Sequence, residues 1–492
     1  MAIAARALTR SEQLWATWGL MIATAMQAAD ALIANVALPQ LEKDLGSGVG
    51  LGAWVMTSYL CATAVMAPLT GWLRRRYGAG RLFPMAVGAF IAASLLCALA
   101  PSGPAMIVFR VLQGAGAGII LPLAQAILLD IYPAERHGRM LAIWGATLMI
   151  GPILGPLLGG IITDLVSWRA VFAINLPLGL LVIVLVRRLR YRAEISDHTA
   201  IDAIAVLLLL IAVGGLQLCL ERGVGRSWLH SPELLAEASA WVLAFSALML
   251  RARHAGFSVF RPEVFKDVNF SVAAFYNFMT SGILFVAVVF IPTLGQDLLG
   301  YSATLAGFTI VPRAALMTLT MLVVGRLIGR VDYRILLSAG WLLMAGGLAL
   351  LSQIEPSQAL AWIIIGSTIQ AVGAGLLFTP HSTLAFSTLA PELRTDASGL
   401  YSLLRQLGFA SGVALMTGVL RFEVDAHLGV LTGGSSGAGG LPPAQLLDLA
   451  TLLAYRDCFG MMAIASLIVI PGIFLFRLAG VHTGRNGSAS VD

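Results

Sequence analysis

The sequence contains fourteen long apolar stretches, each with the length of a membrane-crossing helix. A helix needs about 20 predominantly apolar residues to cross a bilayer. The stretches cover residues 15–39, 51–73, 82–100, 104–129, 139–163, 168–187, 202–220, 233–250, 269–294, 303–328, 335–353, 359–388, 397–420 and 457–478. They do not alternate apolar and polar residues as the strands of a membrane barrel do. The sequence therefore predicts an all-α integral membrane protein with 14 transmembrane helices.

Composition argues against the soluble classes of protein. Apolar residues make up 58% of the 492 residues and charged residues only 11%, and the mean hydropathy is +0.88. A soluble domain carries about 25% charged residues, so a soluble enzyme, a nucleic-acid-binding protein and a disordered chain are all disfavoured. The sequence has no G-x-x-x-x-G-K-[ST] motif, which argues against an ATP-driven pump. The four cysteines lie in or beside apolar stretches without CxxC spacing, so no metal site is expected.

Basic residues are distributed unevenly between the two sides of the predicted membrane. With the N-terminus placed in the cytoplasm, 22 Lys and Arg residues fall on the cytoplasmic side and 6 on the outer side. The other three, Arg110, Arg313 and Arg405, lie within spans. Because cytoplasmic loops are enriched in Lys and Arg, we expect a multi-pass membrane protein with both termini in the cytoplasm.

The chain repeats itself at an offset of about 257 residues. Gln113 begins Q-G-A-G-A-G and Gln370 begins Q-A-V-G-A-G, and Pro122 and Pro380 follow at matching places. Two halves of six helices with the same orientation are typical of transporters, whose substrate site lies near the midplane between the halves. The predicted units are a first half at residues 1–192, a two-helix insert at 193–266 and a second half at 267–492 with a long outer loop at about 421–456.

Four stretches carry a resemblance to a known family. They are Gln27–Pro39 (Q-A-A-D-A-L-I-A-N-V-A-L-P), Gly71–Arg81 (G-W-L-R-R-R-Y-G-A-G-R), Arg110–Gly118 (R-V-L-Q-G-A-G-A-G) and Gly151–Gly179, which begins G-P-I-L-G-P-L-L-G-G. Together they resemble the major facilitator superfamily, in particular its fourteen-helix drug:proton antiporters of the EmrB/QacA type, with a layout closer to EmrB. The resemblance implies a 6+2+6 major facilitator fold around a central cavity, an inner-membrane location, and transport driven by the proton gradient without a cofactor.

Asp30 and Arg110 are the predicted proton-coupling residues. Asp30 is the only carboxylate well inside an apolar span, and an ionisable residue there is a functional hypothesis by default. At 1.5 Å per residue the two side chains lie at similar depths below the outer surface, so a salt bridge or a water-mediated contact between them is geometrically allowed. The resemblance links the acid and the arginine to proton coupling; the alternatives are a structural ion pair and a packing arginine.

The fifth span carries glycines and prolines at a spacing of four. They are Gly151, Pro152, Gly155, Pro156, Gly159 and Gly160. Small residues at this spacing let another helix approach closely, and the resemblance adds a gating role between the halves. Ordinary tight packing is the alternative. The matching span of the second half carries Arg405 and Gln406, and we find no comparable run there.

Polar residues inside other spans are the predicted lining of a substrate cavity. They are Gln27, Asn35, Gln113, Gln125, Tyr276, Asn277, Gln370 and His381. The polar face of the fourth span indicates either a cavity or a close helix contact. A lone histidine such as His381 is also compatible with a hydrogen-bonded packing role.

The loop after the second span forms a basic motif. Its predicted functional residues are Gly71, Arg75, Arg76, Gly78 and Arg81. The related motif in the family often carries Asp at the place of Arg75, so the charge relay attributed to that Asp is in question here. The basic cluster still fits a cytoplasmic loop that latches two helices together.

The sequence features favour one class of function over two others. The resemblance, together with 17 Met and 21 Phe residues, favours export of hydrophobic or amphiphilic small molecules by alternating access. The alternative is a dedicated exporter or symporter of one metabolite, such as a siderophore or a biosynthetic product. A membrane sensor or scaffold is disfavoured by Asp30 and Arg110. The resemblance further implies a periplasmic adaptor of the EmrA type and an outer-membrane channel, where the source has an outer membrane. The other partner is the lipid bilayer, and no nucleic acid is expected.

Overall fold

The computed structural model describes residues 9–45, 51–187, 202–223, 232–253, 259, 261–301, 303–355, 359–433 and 442–477. Within these ranges the chain is helical and forms no strand, apart from an isolated bridge between Ile328 and Val331. The helices are α1 Arg10–Leu45, α2 Leu51–Tyr77, α3 Ala79–Ala98, α4 Gly103–Ile131, α5 Ala134–Leu148, α6 Ile150–Leu165, α7 Trp168–Ala173, α8 Asn175–Val186, α9 Ala203–Gly223, α10 Pro232–Arg251, α11 Val268–Thr293, α12 Ala303–Leu327, α13 Tyr333–Leu351, α14 Ala359–Ser387, α15 Arg394–Gly433 and α16 Pro443–Ile468. The prediction of an all-α chain is confirmed.

Two predicted spans are each divided into two helices. The fifth span becomes α5 and α6, and the sixth becomes α7 and α8. Proline has no N–H to donate to the carbonyl group four residues earlier. Pro152 and Pro177 therefore leave the carbonyls of Leu148 and Ala173 without helical partners, and these two residues are where α5 and α7 end.

Apolar helices of membrane-crossing length account for much of the described chain. In the described ranges, nine helices have the length and composition to cross a membrane. The total of fourteen crossings stays a prediction.

The sequence repeat corresponds to a repeated packing arrangement. A methyl group added at Gly116 would lie 2.9 Å from the backbone nitrogen of Phe90 in α3. At the repeat-related Gly373 it would lie 2.5 Å from the backbone nitrogen of Met344 in α13. α4 and α14 thus approach α3 and α13 through corresponding glycines, because only a residue without a side chain allows such close contact.

The two-helix insert packs on one side of the halves. α9 contacts α10, α2 and α15, while α10 presents large apolar side chains such as Leu243 and Leu250 to its surroundings. Arg251 Nε donates to Asp202 Oδ2 at 2.7 Å and joins the two helices. The predicted boundary at residue 192 lies outside the described residues.

The predicted outer loop at 421–456 is corrected by the structure. Residues 421–433 continue α15, and residues 443–456 form the first part of α16. Pro443 suits the first position of a helix, where its missing N–H would have had no partner. The segment predicted as an outer loop therefore consists mainly of two helical arms, and residues 434–441 lie outside the described ranges.

Candidate functional site

A buried polar cluster surrounds Asp30 in the first half. Arg110 Nη1 lies 3.1 Å from Asp30 Oδ2, and both side chains are 0% exposed. α1 and α4, which carry the two residues, belong to the same six-helix half. The structure thus joins the two predicted coupling residues in a direct ion pair, while their role in coupling stays a prediction.

Two amide side chains complete the hydrogen bonding of the Asp30 carboxylate. Gln113 Nε2 donates to Oδ1 at 2.9 Å and Asn175 Nδ2 at 2.6 Å. Both amides also donate to Ser94 Oγ, at 3.1 and 2.9 Å, and Ser94 Oγ donates to the carbonyl oxygen of Phe172. The carboxylate therefore accepts three hydrogen bonds from side chains of α4 and α8.

Arg110 is held on several sides by the first half. Its guanidinium carbon lies 4.2 Å from the ring centre of Tyr59, and its Nη1 also donates to Gln113 Oε1 at 2.7 Å. Its Nε donates to the carbonyl oxygen of Val55 at 3.3 Å. Gln113 thus contacts both members of the ion pair and fixes their relative position.

Ser94 and Asn175 are members of this cluster that sequence reasoning did not single out. Asn175 stands in the stretch Gly151–Gly179 that resembles the family, so a signal for it was available. Ser94 is a single small polar residue in the third span, and nothing in its sequence neighbourhood distinguishes it.

The predicted cavity residues of the first half occupy different places. Gln27 Nε2 donates to Tyr59 Oη at 3.2 Å, and Gln27 therefore borders the Arg110 cluster. Gln125 accepts a hydrogen bond of 2.7 Å from Ser398 Oγ of α15, which belongs to the second half. The side chain of Asn35 lies outside the described part of the structure.

Tyr276 and His381 form part of an aromatic cluster inside the second half. Their ring centres are 5.2 Å apart in a stacked arrangement, and each residue is 1% exposed. Tyr276 Oη donates to the carbonyl oxygen of Val469 at 2.5 Å. Both side chains are therefore enclosed by the packing of the second half.

The remaining predicted cavity residues also bond within the second half. Asn277 Nδ2 donates to the carbonyl oxygen of Tyr401 at 2.9 Å, and Gln370 Nε2 to that of Ile283 at 3.4 Å. Seven of the eight predicted cavity residues are described, and all seven are buried in this conformation. Their role as the lining of a substrate cavity stays a prediction. The polar face of α11 packs against α15, because small and polar residues suit a close helix contact as well as they suit a cavity.

Glycines mediate a close helix crossing in each half. A methyl group added at Gly151 of α6 would meet the carbonyl oxygen of Ala28 in α1, and one added at Gly408 of α15 would meet the carbonyl oxygen of Phe278 in α11. Gly412 extends the second crossing, since its added methyl group would lie 2.6 Å from Cα of Gly282. The prediction that the second half lacks a comparable run is wrong.

Other members of the fifth-span motif are only partly described. Gly155 and Gly159 are buried in α6. The side chains of Pro152 and Pro156, and the surroundings of Gly160, lie outside the description. The gating role of the motif stays a prediction.

The basic loop motif of the first half contacts the second half directly. Arg75 Nη1 forms an ion pair with Asp396 Oδ2 of α15, where Arg75 is 13% and Asp396 1% exposed. A methyl group at Gly71 would meet the same carboxylate, so the motif glycine is required for this approach. We call this pair, together with Gly71, the Arg75–Asp396 latch.

Neighbouring ion pairs reinforce the same contact between the halves. Arg74 Nη2 lies 2.6 Å from Asp130 Oδ2, and Arg74 Nη1 donates to Thr395 Oγ1. Arg394 of α15 lies 3.9 Å from Asp130 Oδ1. These charges lie at the end of the molecule that carries Arg74, Arg75 and Arg76, which we call the Arg-rich end.

The other residues of the loop motif are a turn glycine and two exposed arginines. Gly78 adopts φ +75° between α2 and α3, a conformation that favours glycine. Arg76 and Arg81 are exposed at the Arg-rich end.

One group of described residues has the side-chain types of a metal site. It consists of Glu423 and His427 of α15 and Asp457 of α16, with ligand atoms within 4.8 Å of one another. His427 Nε2 and Asp457 Oδ2 are 2.7 Å apart, so this contact already pairs two of the three side chains. The group lies on the helical arms formed by residues 421–433 and 443–456, with Asp457 directly after the second arm, and is separate from the Asp30 cluster.

Comparison with known proteins decides the family. A sequence profile of the Major Facilitator Superfamily matches residues 20–413. The chain belongs to the Major Facilitator Superfamily. It is 36% identical over 403 residues to the multidrug export protein EmrB of Haemophilus influenzae, a match covering 82% of this chain and 79% of that protein. It is 31% identical over 404 residues to the fatty acid resistance protein FarB of Neisseria gonorrhoeae, with 82% and 80% covered.

A solved structure shows the same superfamily fold. The crystal structure of the human organic anion transporter MFSD10 (TETRAN) matches with a TM-score of 0.59 at 15% identity, covering 96% of this chain and 100% of that chain. The predicted resemblance to EmrB-type members of the superfamily and the predicted fold are both confirmed.

The Arg75–Asp396 latch can be compared with the related loop motif of the superfamily. The related loop motif often carries Asp where this chain has Arg75, so the charge at this place is reversed. The partner in the second half, Asp396, supplies the negative charge instead.

Reversing the charge of Arg75 is expected to open the Arg-rich end. Breaking a buried ion pair by removal of one partner costs about 3–5 kcal/mol, which corresponds to a shift of about a hundredfold or more in a two-state equilibrium. Arg75→Asp should therefore lengthen the distance between spin labels placed at the exposed positions Tyr77 and Glu392, measured by pulsed electron paramagnetic resonance.

The exchanged pair and a neighbouring arginine are the controls for this experiment. The double variant Arg75→Asp/Asp396→Arg should restore the short distance, and Arg76→Asp should leave it unchanged. A short distance in Arg75→Asp alone would contradict the role of the latch.

Proposed function

We propose that this protein exports hydrophobic and amphiphilic compounds across the inner membrane and couples their export to proton entry. Its similarity to EmrB and FarB, whose names denote multidrug export and fatty acid resistance, supports the choice of substrate class. The fold supports alternating access, in which the two halves open in turn to the two sides of the membrane. No cofactor takes part in this proposal.

The contact between the halves supports apolar substrates. It contains a cluster of buried apolar residues from both halves, namely Ala146, Leu284, Met317, Met321, Ala371 and Ala374. Partly buried Met149, Leu322 and Phe378 pack against this cluster. Methionine side chains adapt their shape to different partners and are frequent at surfaces that bind many ligands. When the halves separate, this surface would become available to apolar compounds of different shapes.

The proposal of proton coupling is supported by one observation, the fully buried ion pair between Asp30 and Arg110. Burial favours the neutral, protonated carboxyl group, whereas a neighbouring guanidinium favours the carboxylate. The proton affinity of Asp30 therefore depends on whether Arg110 remains in contact. A conformational change that separates α1 from α4, or a substrate that displaces Arg110, would change this affinity, and such a difference between states is what coupling requires.

The present conformation fits one stage of this cycle. The latch and the contact between Gln125 and Ser398 join the halves at the Arg-rich end, which the positive-inside rule places in the cytoplasm. We infer that this conformation is closed toward the predicted cytoplasm. Return to the inward-facing stage requires these contacts to break.

The outer helical arms are the proposed contact for a periplasmic adaptor. Residues 421–433 and 443–456 extend α15 and α16 beyond the predicted membrane limits. An adaptor of the EmrA type would carry the exported compound to an outer-membrane channel.

A drug-susceptibility panel in an efflux-deficient bacterial host tests the proposed function. Expression should raise the inhibitory concentrations of several unrelated apolar compounds several-fold, and a protonophore should remove this protection. The panel is run with and without a co-expressed EmrA-type adaptor. Protection against one compound alone would favour a dedicated exporter, and full protection without the adaptor would argue against an obligatory complex.

A further inference from the structure

An open groove lies at the Arg-rich end of the second half. Its volume is about 620 Å³, and its walls come from the starts of α11 and α13 and from the end of the chain segment after α16. The arginines at its edge are Arg334 and Arg477. This groove is separate from the Asp30 cluster and from the contact between the halves.

The walls of the groove are apolar and exposed. Phe474 and Leu475 are 66% and 63% exposed, although the adjacent Ile473 and Phe476 are almost fully buried. Val268 and Val272 of α11 line the same groove. Apolar side chains exposed at the end of membrane-spanning helices are positioned to contact lipid chains.

Arg334 has unused hydrogen-bonding capacity. Its Nη2 makes one long contact of 3.4 Å with the carbonyl oxygen of Phe476, and its guanidinium carbon lies 5.5 Å from the ring centre of Phe474. Within the described part of the chain, its buried Nε has no hydrogen-bond partner. A buried donor without an acceptor is costly. Among the described residues, no carboxylate lies within ion-pair distance of Arg334 or Arg477. The groove thus presents two guanidinium groups that lack an anion.

The backbone of Arg477 is fixed in place beside this groove. Its N–H donates to Asn269 Oδ1 at 2.8 Å, and its carbonyl oxygen accepts from Asn269 Nδ2 at 2.9 Å. The side chain of Arg477 therefore starts from a defined position next to Arg334. Two guanidinium groups at the edge of one groove suit a phosphate group, because each offers several N–H donors in a planar fork.

We propose that this groove binds an anionic phospholipid. The phosphate group contacts Arg334 and Arg477, and an acyl chain lies along Phe474, Leu475 and the α11 valines. The positive-inside rule places this end at the cytoplasmic surface, and basic pockets between membrane helices on that side bind anionic lipid headgroups. The volume exceeds what a phosphate group alone would fill, which favours a lipid over a free ion. This site does not depend on the substrate of the transporter.

Thermal unfolding of the purified full chain in detergent tests the proposal. Phosphatidylglycerol should raise the unfolding temperature of the wild-type protein, whereas phosphatidylcholine and inorganic phosphate should have little effect. In Arg334→Gln/Arg477→Gln the apparent Kd for phosphatidylglycerol should rise at least about tenfold, since tenfold corresponds to only 1.4 kcal/mol. If the double variant does not fold, the single variant Arg477→Gln is measured in its place. It should show a smaller loss of affinity for phosphatidylglycerol.

A matched control variant removes the same amount of positive charge from the Arg-rich end. Arg326 and Arg330 are exposed and do not line the groove, so Arg326→Gln/Arg330→Gln should keep the response to phosphatidylglycerol. An equal loss in this control would show general charge attraction and overturn the proposal. Equal stabilisation by phosphatidylcholine would show that the lipid need not be anionic, and equal stabilisation by inorganic phosphate would indicate an ion site. Either result would overturn the proposal. An unchanged response in the groove variants would also overturn it.

Discussion

Asp30→Asn is expected to reduce proton-driven drug efflux to the background of cells without the transporter. The asparagine keeps the size and part of the hydrogen bonding of the side chain, but it neither carries a negative charge nor releases a proton at physiological pH. The protein should still bind substrate, because the apolar contact surface between the halves is unchanged. Efflux of a fluorescent substrate from energised cells measures the loss, and binding to purified protein measures what remains.

A second variant separates loss of coupling from loss of folding. Asp30→Asn leaves Arg110 buried without its ion pair, and breaking such a pair costs about 3–5 kcal/mol of stability. Asp30→Asn/Arg110→Gln removes both charges and should be more stable than Asp30→Asn while remaining inactive. If either variant folds and pumps at the wild-type rate, Asp30 is not the coupling residue.

Leucine at Gly151 or at Gly408 is expected to abolish transport. In each case the new side chain would meet a backbone carbonyl oxygen of the neighbouring helix, that of Ala28 or that of Phe278. Forcing extra atoms into a packed contact costs about 1–3 kcal/mol, and it would hold apart two helices that must pack closely. We expect efflux at background level with near-normal expression, measured by the same efflux assay and by size-exclusion chromatography.

Gly346→Leu is the matched control for these two variants. Gly346 lies in the middle of α13, and an added methyl group there has no neighbour within 4 Å. This variant carries the same change in helix propensity without the steric conflict, so it should transport normally. Normal transport by Gly151→Leu would show that the close crossing of α1 and α6 is dispensable.

The fold could be predicted because hydrophobic length and basic-residue distribution are properties of the sequence alone. The repeat offset further identified the two halves, and Gly116 and Gly373 indeed occupy corresponding contacts. Hydrophobic length alone does not indicate the helix breaks before Ile150 and Asn175, whereas the proline four residues after each helix end does. Gly408 lies 257 residues after Gly151, so the same offset would also have revealed the second glycine crossing.

In the candidate site, only the contact that follows from the depth of two residues in the membrane could be predicted from the sequence. Counting residues from the outer ends of two spans placed Asp30 and Arg110 at one level, and they are in contact. Helical periodicity identifies a polar face but does not say whether it borders a cavity or another helix. For this reason the sequence does not indicate that Asn277 bonds to the backbone of α15 in this conformation. The pairing of Arg75 with Asp396 joins residues 321 positions apart, which no local pattern indicates.

Proton release on substrate binding tests the central claim most directly. Adding a transported drug to purified wild-type protein in weakly buffered detergent solution should release protons, which a pH-sensitive dye detects. The same addition to Asp30→Asn, which still binds the drug, should release none. Unchanged release from Asp30→Asn would contradict the account and place the proton on another group, with buried His381 the next residue to test.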